Sequence, residues 1–228
     1  MLSKTPIVAS TLLLGAIGLT SQTQASGLAK EVQFKVTISS VTKDDTLKSP
    51  GSALRAPIAP GVFLVDRTAV VASSGVRATP ELERLAEDGN YEPLQQKLAS
   101  QFGARSGMFI PGQELTFTAT PGDRLSFATM FVQSNDKFYA PAGQGIELFR
   151  SDGRPVVGNL TSEVRLYDAG TEADEEPGVG RDQAPRQGGP NKGAGKNLAV
   201  GEARDAFTYP PAQEVIEVTL KAVPGAGP

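Results

Sequence analysis

Apolar and polar residues alternate with a period of two in several short segments of this chain. In residues 31–42, every second residue from Val32 to Ile38 is apolar. The same alternation returns in the segments 115–119, 125–131, 162–166 and 216–220, and residues 61–72 are rich in β-branched and apolar side chains. Such alternation is typical of strands with one buried face. Because clusters of Gly, Pro and Asp separate these segments, the pattern predicts an all-β fold, an antiparallel sandwich or barrel.

Two segments between the predicted strands have helical patterns instead. Residues 79–89 begin with Thr79 as an N-cap and Pro80 in the first turn, and Gly89 ends the segment. A second helix is predicted over residues 93–102, where apolar residues are spaced by four. Because such short helices are marginal alone, we expect their apolar faces to pack against the sheet.

The N-terminus has the pattern of a secretory signal peptide. Lys4 is followed by an apolar run from Ile7 to Leu19, and small and polar residues lead to Ala25. The apolar run is shorter than the roughly 20 residues that a membrane span needs. We therefore expect residues 1–25 to be removed on export, and residues 26–228 to form a single domain that is periplasmic or secreted and not inserted in a membrane.

The composition excludes several classes of site. The chain has no Cys and no His, which rules out disulfides, thiolate nucleophiles, Ser-His-Asp triads and imidazole metal ligands. Its formal net charge of −3 disfavours nucleic acids and anionic lipid surfaces as partners. The oxygen donors that remain suit hard cations best.

The periodicity disappears between Gly170 and Arg204, a stretch of acidic residues followed by Gly, Pro, Asn, Gln and Arg. A loop of this length is usually either functional or disordered. Near its start are five carboxylates: Asp168, Glu172, Asp174, Glu175 and Glu176.

Three interpretations of this acidic segment are open. The carboxylates could hold a calcium ion, because carboxylates crowded at a strand end repel one another and a cation relieves the repulsion. They could form an ordinary solvated acidic loop. Asp168 and Glu172 could also act as the paired carboxylates of a glycosidase, although the chain has no Trp and only four Tyr for a sugar platform.

A second candidate residue is Asp136, in residues 133–141 after the strand that contains Phe131. Its side chain is predicted to lie in a loop at a strand end. An aspartate in such a loop can also simply bond to its own backbone.

Three ordered motifs resemble the amino-terminal domain of the spondin family, known from F-spondin and mindin. Residues 167–172 (Tyr-Asp-Ala-Gly-Thr-Glu) resemble its Trp-Asp-Ala-Gly-Thr-Asp signature. Residues 127–136 resemble its Ser-x-x-Met…Ser-Pro-Asp-Trp stretch, and residues 72–89 its Ala-Ser-x-Gly-Val…Ala-Glu-x-Gly element. The motifs have the family's order and approximate spacing.

The resemblance implies an antiparallel β-sandwich of roughly eight strands, with a calcium ion at one end of the sandwich. By correspondence with the family's ligands, the ion would be held by Asp136, Asp168 and Glu172. The resemblance also implies a role in adhesion or recognition, with an extracellular or cell-envelope protein or glycan as partner, and no catalytic activity.

The sequence departs from the family pattern at three places near these ligands. Lys137 stands where the family has Trp, which puts a cation beside a predicted ligand. Tyr167 replaces the other Trp, and Glu172 replaces Asp. We therefore expect an exported calcium-binding sandwich, with a carboxylate-dependent hydrolase and a metal-free scaffold as the alternatives.

Overall fold

The computed structural model describes residues 30–223, so the predicted signal peptide lies outside the described residues. Within this range, thirteen short strands are found: β1 (Val32–Ser40), β2 (Leu47–Ser49), β3 (Ser52–Leu54), β4 (Gly61–Asp66), β5 (Ser106–Phe109), β6 (Glu114–Ala119), β7 (Arg124–Met130), β8 (Lys137–Pro141), β9 (Ile146–Glu147), β10 (Gly158–Asn159), β11 (Val164–Asp168), β12 (Gly201–Glu202) and β13 (Ile216–Val223). The helices are α1 (Pro80–Asp88), α2 (Glu92–Phe102) and α3 (Ala212–Val215). None of the helices in the described range is long and apolar enough to cross a membrane.

The strands form two main antiparallel sheets. The smaller sheet has the order β10-β13-β1-β6, and the larger has the order β12-β11-β8-β7-β4-β5, with β9 paired to β7. Strands β2 and β3 pair separately as a short hairpin. The predicted all-β sandwich is confirmed, with more and shorter strands than the eight expected.

The core between the two sheets is rich in phenylalanine. Phe34 on β1 makes an edge-on contact with Phe149, with ring centroids 5.4 Å apart. Phe117 on β6 packs against Phe63 on β4 of the opposite sheet, at 6.3 Å. The alternation that predicted β1 and β6 therefore arises because each strand directs one face into this core.

The predicted helices pack on the outer face of the larger sheet. Leu82 and Leu85 of α1 and Leu94 and Leu98 of α2 belong to a second apolar cluster, which includes Phe138 on β8. Because the larger sheet is covered on both faces, all five residues of β8 are buried.

Helix α1 begins and ends as its sequence predicts. The side chain of Thr79 accepts a hydrogen bond from the backbone N–H of Leu82 at 3.4 Å. Gly89 ends the helix in the left-handed conformation, with φ of 68°, which glycine adopts without strain. The last turn of α1 lies near the loop that follows β11, because Glu87 lines the same cavity as Thr171 and Glu172.

Strand β4 is shorter than the predicted segment 61–72. It ends at Asp66, whose side chain accepts hydrogen bonds from the backbone N–H groups of Thr68 at 3.0 Å and Ala69 at 2.9 Å. This local turn takes the donors that a continued strand would need for pairing. The prediction was wrong here because the apolar composition of residues 67–72 outweighed the turn signal of Asp66.

Candidate ion-binding site

Strand pairing brings two of the predicted ligands together. Asp136 directly precedes β8, and Asp168 is the last residue of β11. The two strands are antiparallel, with Asp168 opposite Lys137 in the register. Since the end of one antiparallel strand lies beside the start of its partner, the two carboxylates come to the same place.

Asp136 is fully buried and holds the loop that follows β11. Its Oδ2 accepts hydrogen bonds from the backbone N–H of Thr171 at 2.8 Å and of Glu172 at 3.1 Å. The backbone N–H of Ala169 also donates to the carbonyl oxygen of Asp136 at 3.1 Å. These bonds connect the turn before β8 with the start of the long loop.

Asp174 is the third acid of the group. Asp136, Asp168 and Asp174 each offer a carboxylate oxygen, and the three oxygens lie within 4.8 Å of one another. Asp174 stood among the five acids noted in the sequence, but no motif distinguished it from its neighbours. Its place in the group depends on the path of the loop after Glu172.

Glu172, the third predicted ligand, is not in this group. Its Oε1 accepts a hydrogen bond from the backbone N–H of Gly193 at 2.8 Å, and its Oε2 has no hydrogen-bond partner among the described residues. The carboxylate of Glu172 lines a neighbouring cavity with Glu87 of α1.

The amine of Lys137 lies among the aspartates. Its side chain is only 2% exposed, and Nζ is 3.3 Å from Asp136 Oδ1 and 3.1 Å from Asp168 Oδ2. Nζ also pairs with Asp174, and with Asp205 at 3.4 Å. Lys137, which stands where the spondin motif has Trp, is therefore the centre of a buried ionic cluster.

A second amine approaches the group from the long loop. Lys196 Nζ lies 2.8 Å from Asp168 Oδ2 and 2.5 Å from Asp174 Oδ2. Its side chain is 21% exposed, so it borders solvent while Lys137 does not. Lys196 and Asp205 were not predicted as members of this group, because no local pattern connects either residue with the distant strand ends.

Six side chains form this ionic group, which we call the aspartate cluster, and its negative groups outnumber its positive groups. The cluster consists of Asp136, Asp168, Asp174, Asp205, Lys137 and Lys196. With all groups ionised, four carboxylates face two ammonium groups, which leaves a formal charge of −2. A divalent cation in place of the amine of Lys196 would reduce this formal charge to −1.

The charges of the cluster shift the pKa values of its members. Burial lowers the pKa of Lys137, but the charge of Asp136 and the hydrogen bond to Asp174 outweigh burial and raise it above its usual range. Burial also raises the pKa of Asp168, but the hydrogen bond from Lys196 and the charge of Lys137 outweigh it and lower the pKa. Lys137 and Asp168 are therefore both ionised at neutral pH.

The donor set of the cluster suits a hard cation. Carboxylate oxygens that converge from separate segments are the ligands that calcium takes, completed by carbonyl groups and water. The partly exposed amine of Lys196 bridges Asp168 and Asp174, the position where such an ion would compete with it. Lys137 is enclosed and has no comparable path to solvent.

No family model matches the chain, and a search of curated proteins finds no match. The resemblance to the spondin amino-terminal domain therefore stays a prediction.

Proposed function

We propose that this protein is an exported, calcium-binding β-sandwich module of the spondin type, which serves in recognition or adhesion outside the cell or in its envelope. The observation that carries the proposal is the convergence of Asp136, Asp168 and Asp174 within 4.8 Å. The three acids come from the turn before β8, the end of β11 and the long loop. An ion bound by them would hold these three segments in one arrangement.

The ion enters by replacing Lys196. When the amine of Lys196 leaves Asp168 and Asp174, two carboxylates lose their shared counterion, and a divalent cation supplies twice its charge. Lys137 stays in place, and its ammonium group continues to offset part of the negative charge of the four carboxylates. This exchange couples calcium binding to the position of the loop that carries Lys196.

The same loop supports an exposed apolar surface. Leu198 donates its backbone N–H to the carbonyl of Gly170 at 2.7 Å, two residues after Asp168. Val76 lies beside this segment, because its carbonyl accepts a hydrogen bond from Val200 at 2.8 Å. Leu198 and Val76 are 54% and 55% exposed. We infer that the ion orders this surface for an extracellular or envelope protein or glycan.

Calorimetric titration with calcium tests the proposal. The wild type should release or absorb heat on binding, and Asp168→Asn should lose one bound ion. Lys196→Met should bind this ion at least about tenfold more tightly, because its competing charge is gone. Lys192→Met, an exposed lysine of the same loop, is the matched control and should bind like the wild type. An equal ion count in the wild type and Asp168→Asn would contradict the proposal.

A metal-free scaffold is the second candidate, and the position of Lys137 favours it. The amine of Lys137 already pairs with four carboxylates, so the cluster has a permanent internal cation. On this account, Lys196→Met binds no calcium and only loses stability. The carboxylate hydrolase has less support, because both oxygens of Asp168 already accept hydrogen bonds, from the backbone N–H of Gly170 and from the amine of Lys196, while Glu172 lines the neighbouring cavity.

A further inference from the structure

Two buried glutamates outside the aspartate cluster have no counterion among residues 30–223. Glu87 lies in the last turn of α1, and Glu172 lies in the loop after β11. Each residue is only 2% exposed, and the Oε2 atom of each lacks a hydrogen-bond partner. A buried acceptor without a partner is costly, and two such carboxylates also repel each other.

Glu87 and Glu172 line the same cavity. Its volume is about 320 Å³, and its other polar walls include Glu83, Asn191 and Asn197. At about 30 Å³ per water molecule, the cavity holds several waters beside a ligand. The guanidinium of Arg77, also in the wall, donates to Asn197 Oδ1 at 2.8 Å. The amines of Lys137 and Lys196 pair with the aspartates.

The backbone at Gly193 orients the carboxylate of Glu172. The N–H of Gly193 donates to Oε1 at 2.8 Å, which leaves Oε2 free. A side chain at this position would not fit, because a Cβ on Gly193 would come within 2.4 Å of Oε2 of Glu172. The backbone at Gly193 therefore fixes the carboxylate of Glu172 through Oε1 and leaves Oε2 without a hydrogen bond.

We propose that Glu87 and Glu172 form a second cation site, distinct from the aspartate cluster, which takes a hard divalent ion such as Ca²⁺ or Mn²⁺. Both donors are carboxylate oxygens from different elements, and both need a positive partner. The two Oε2 atoms are shielded from solvent, which favours a bare metal ion over a bulkier organic ammonium group. Waters in the cavity complete the coordination.

The electrostatics of Glu87 agree with this assignment. Burial raises the pKa of Glu87 to about 8; a hydrogen bond with Thr171 opposes this rise, and the negative charges of Glu172, Glu83 and Asp136 add to it. Without a cation nearby, the carboxyl group of Glu87 therefore loses its proton less readily than an exposed glutamate. A bound divalent ion would stabilise the ionised form and lower this pKa.

Counting bound Mn²⁺ by electron paramagnetic resonance tests the second site in the whole protein. The wild type should bind an ion that Glu87→Gln loses or binds at least about tenfold more weakly, while Asp168→Asn keeps it. Glu163→Gln changes an exposed glutamate of the 3-10 turn after β10 in the same way and should bind like the wild type. Gly193→Ala, which displaces the carboxylate of Glu172 by steric contact, should weaken the same ion if Glu87→Gln proves too unstable to measure.

The outcomes separate this site from the aspartate cluster. If Glu87→Gln and Gly193→Ala both bind Mn²⁺ like the wild type, the second site is overturned, and a proton shared between the two glutamates accounts for their burial. If Asp168→Asn alone abolishes all binding, every ion belongs to the aspartate cluster, and the second site is again overturned. If only Glu87→Gln loses an ion, the second site holds and calcium binding at the aspartate cluster fails.

Discussion

The side chain of Lys137 supplies the buried positive charge of the aspartate cluster. A lysine buried among apolar residues would tend to lose its proton, but four carboxylates within 3.4 Å keep this one charged. The ammonium group cannot be removed without leaving several buried acids uncompensated. Lys137 therefore stabilises the fold whether or not a metal ion binds nearby.

We predict that Lys137→Met lowers the free energy of unfolding by about 3–5 kcal/mol, the usual cost of removing one partner from a buried ion pair. Urea denaturation at neutral pH measures the change. Lys221→Met replaces an exposed lysine of β13 and should cost less than about 0.5 kcal/mol. A cost for Lys137→Met as small as that of the control would show that Lys137 is not needed as an internal cation.

At the scale of secondary structure, helix α1 links the core to the proposed second site. Its apolar face packs on the larger sheet, and its last turn carries Glu87 into the cavity beside Glu172. The helix is short, so its end groups contribute a large share of its stability. The position of Glu87 therefore depends partly on the cap at Thr79.

We predict that Thr79→Ala destabilises the protein by about 0.5–2 kcal/mol, because the backbone N–H of Leu82 loses its side-chain acceptor. Chemical denaturation measures this loss. Ser100→Ala changes an exposed hydroxyl inside α2, which bonds only to the carbonyl of Lys97 in the same helix, and should cost less than about 0.5 kcal/mol. Equal costs for the two variants would contradict the role of Thr79 as a cap.

Several elements that the sequence reveals have one buried face, whereas β4 and β7 were predicted although nearly all of their residues are buried. Strands β1 and β6 alternate because one side faces the core, and α1 has recognisable residues at both ends. Strand β8 was not predicted, since helices cover its outer face and all five of its residues are buried. Residues 137–141 therefore lack the alternation that identified other strands in this sequence.

The site was predictable only in part, for a similar reason. The resemblance pointed to Asp136 and Asp168, and strand pairing places both in the cluster. It also pointed to Glu172, whose carboxylate lies in the neighbouring cavity. Lys196 joins the cluster through the folding of the long loop, and Asp205 joins it from the segment after β12. Neither path leaves a periodic pattern in the sequence.

At the scale of the whole molecule, the long loop is attached to the sandwich at several points. Arg186 donates to the side chain of Gln133 at 3.1 Å, and Gln187 donates to Asp88 of α1 at 3.0 Å. Gln183 is fully buried within the loop. The loop therefore covers the end of the sandwich where both proposed ion sites lie, and ion binding should change the stability of the whole fold.

Thermal unfolding of the wild type and Asp168→Asn, each in a chelator and in millimolar calcium, measures whether the aspartate cluster binds calcium in the folded protein. A ligand at about 100 times its Kd adds about 2.7 kcal/mol to the stability of the folded state. For a protein of this size, that gain corresponds to a rise of about 5–10 °C in Tm. We expect this rise in the wild type and a rise less than half as large in Asp168→Asn. A wild-type Tm that is the same with calcium and with chelator would contradict this expectation.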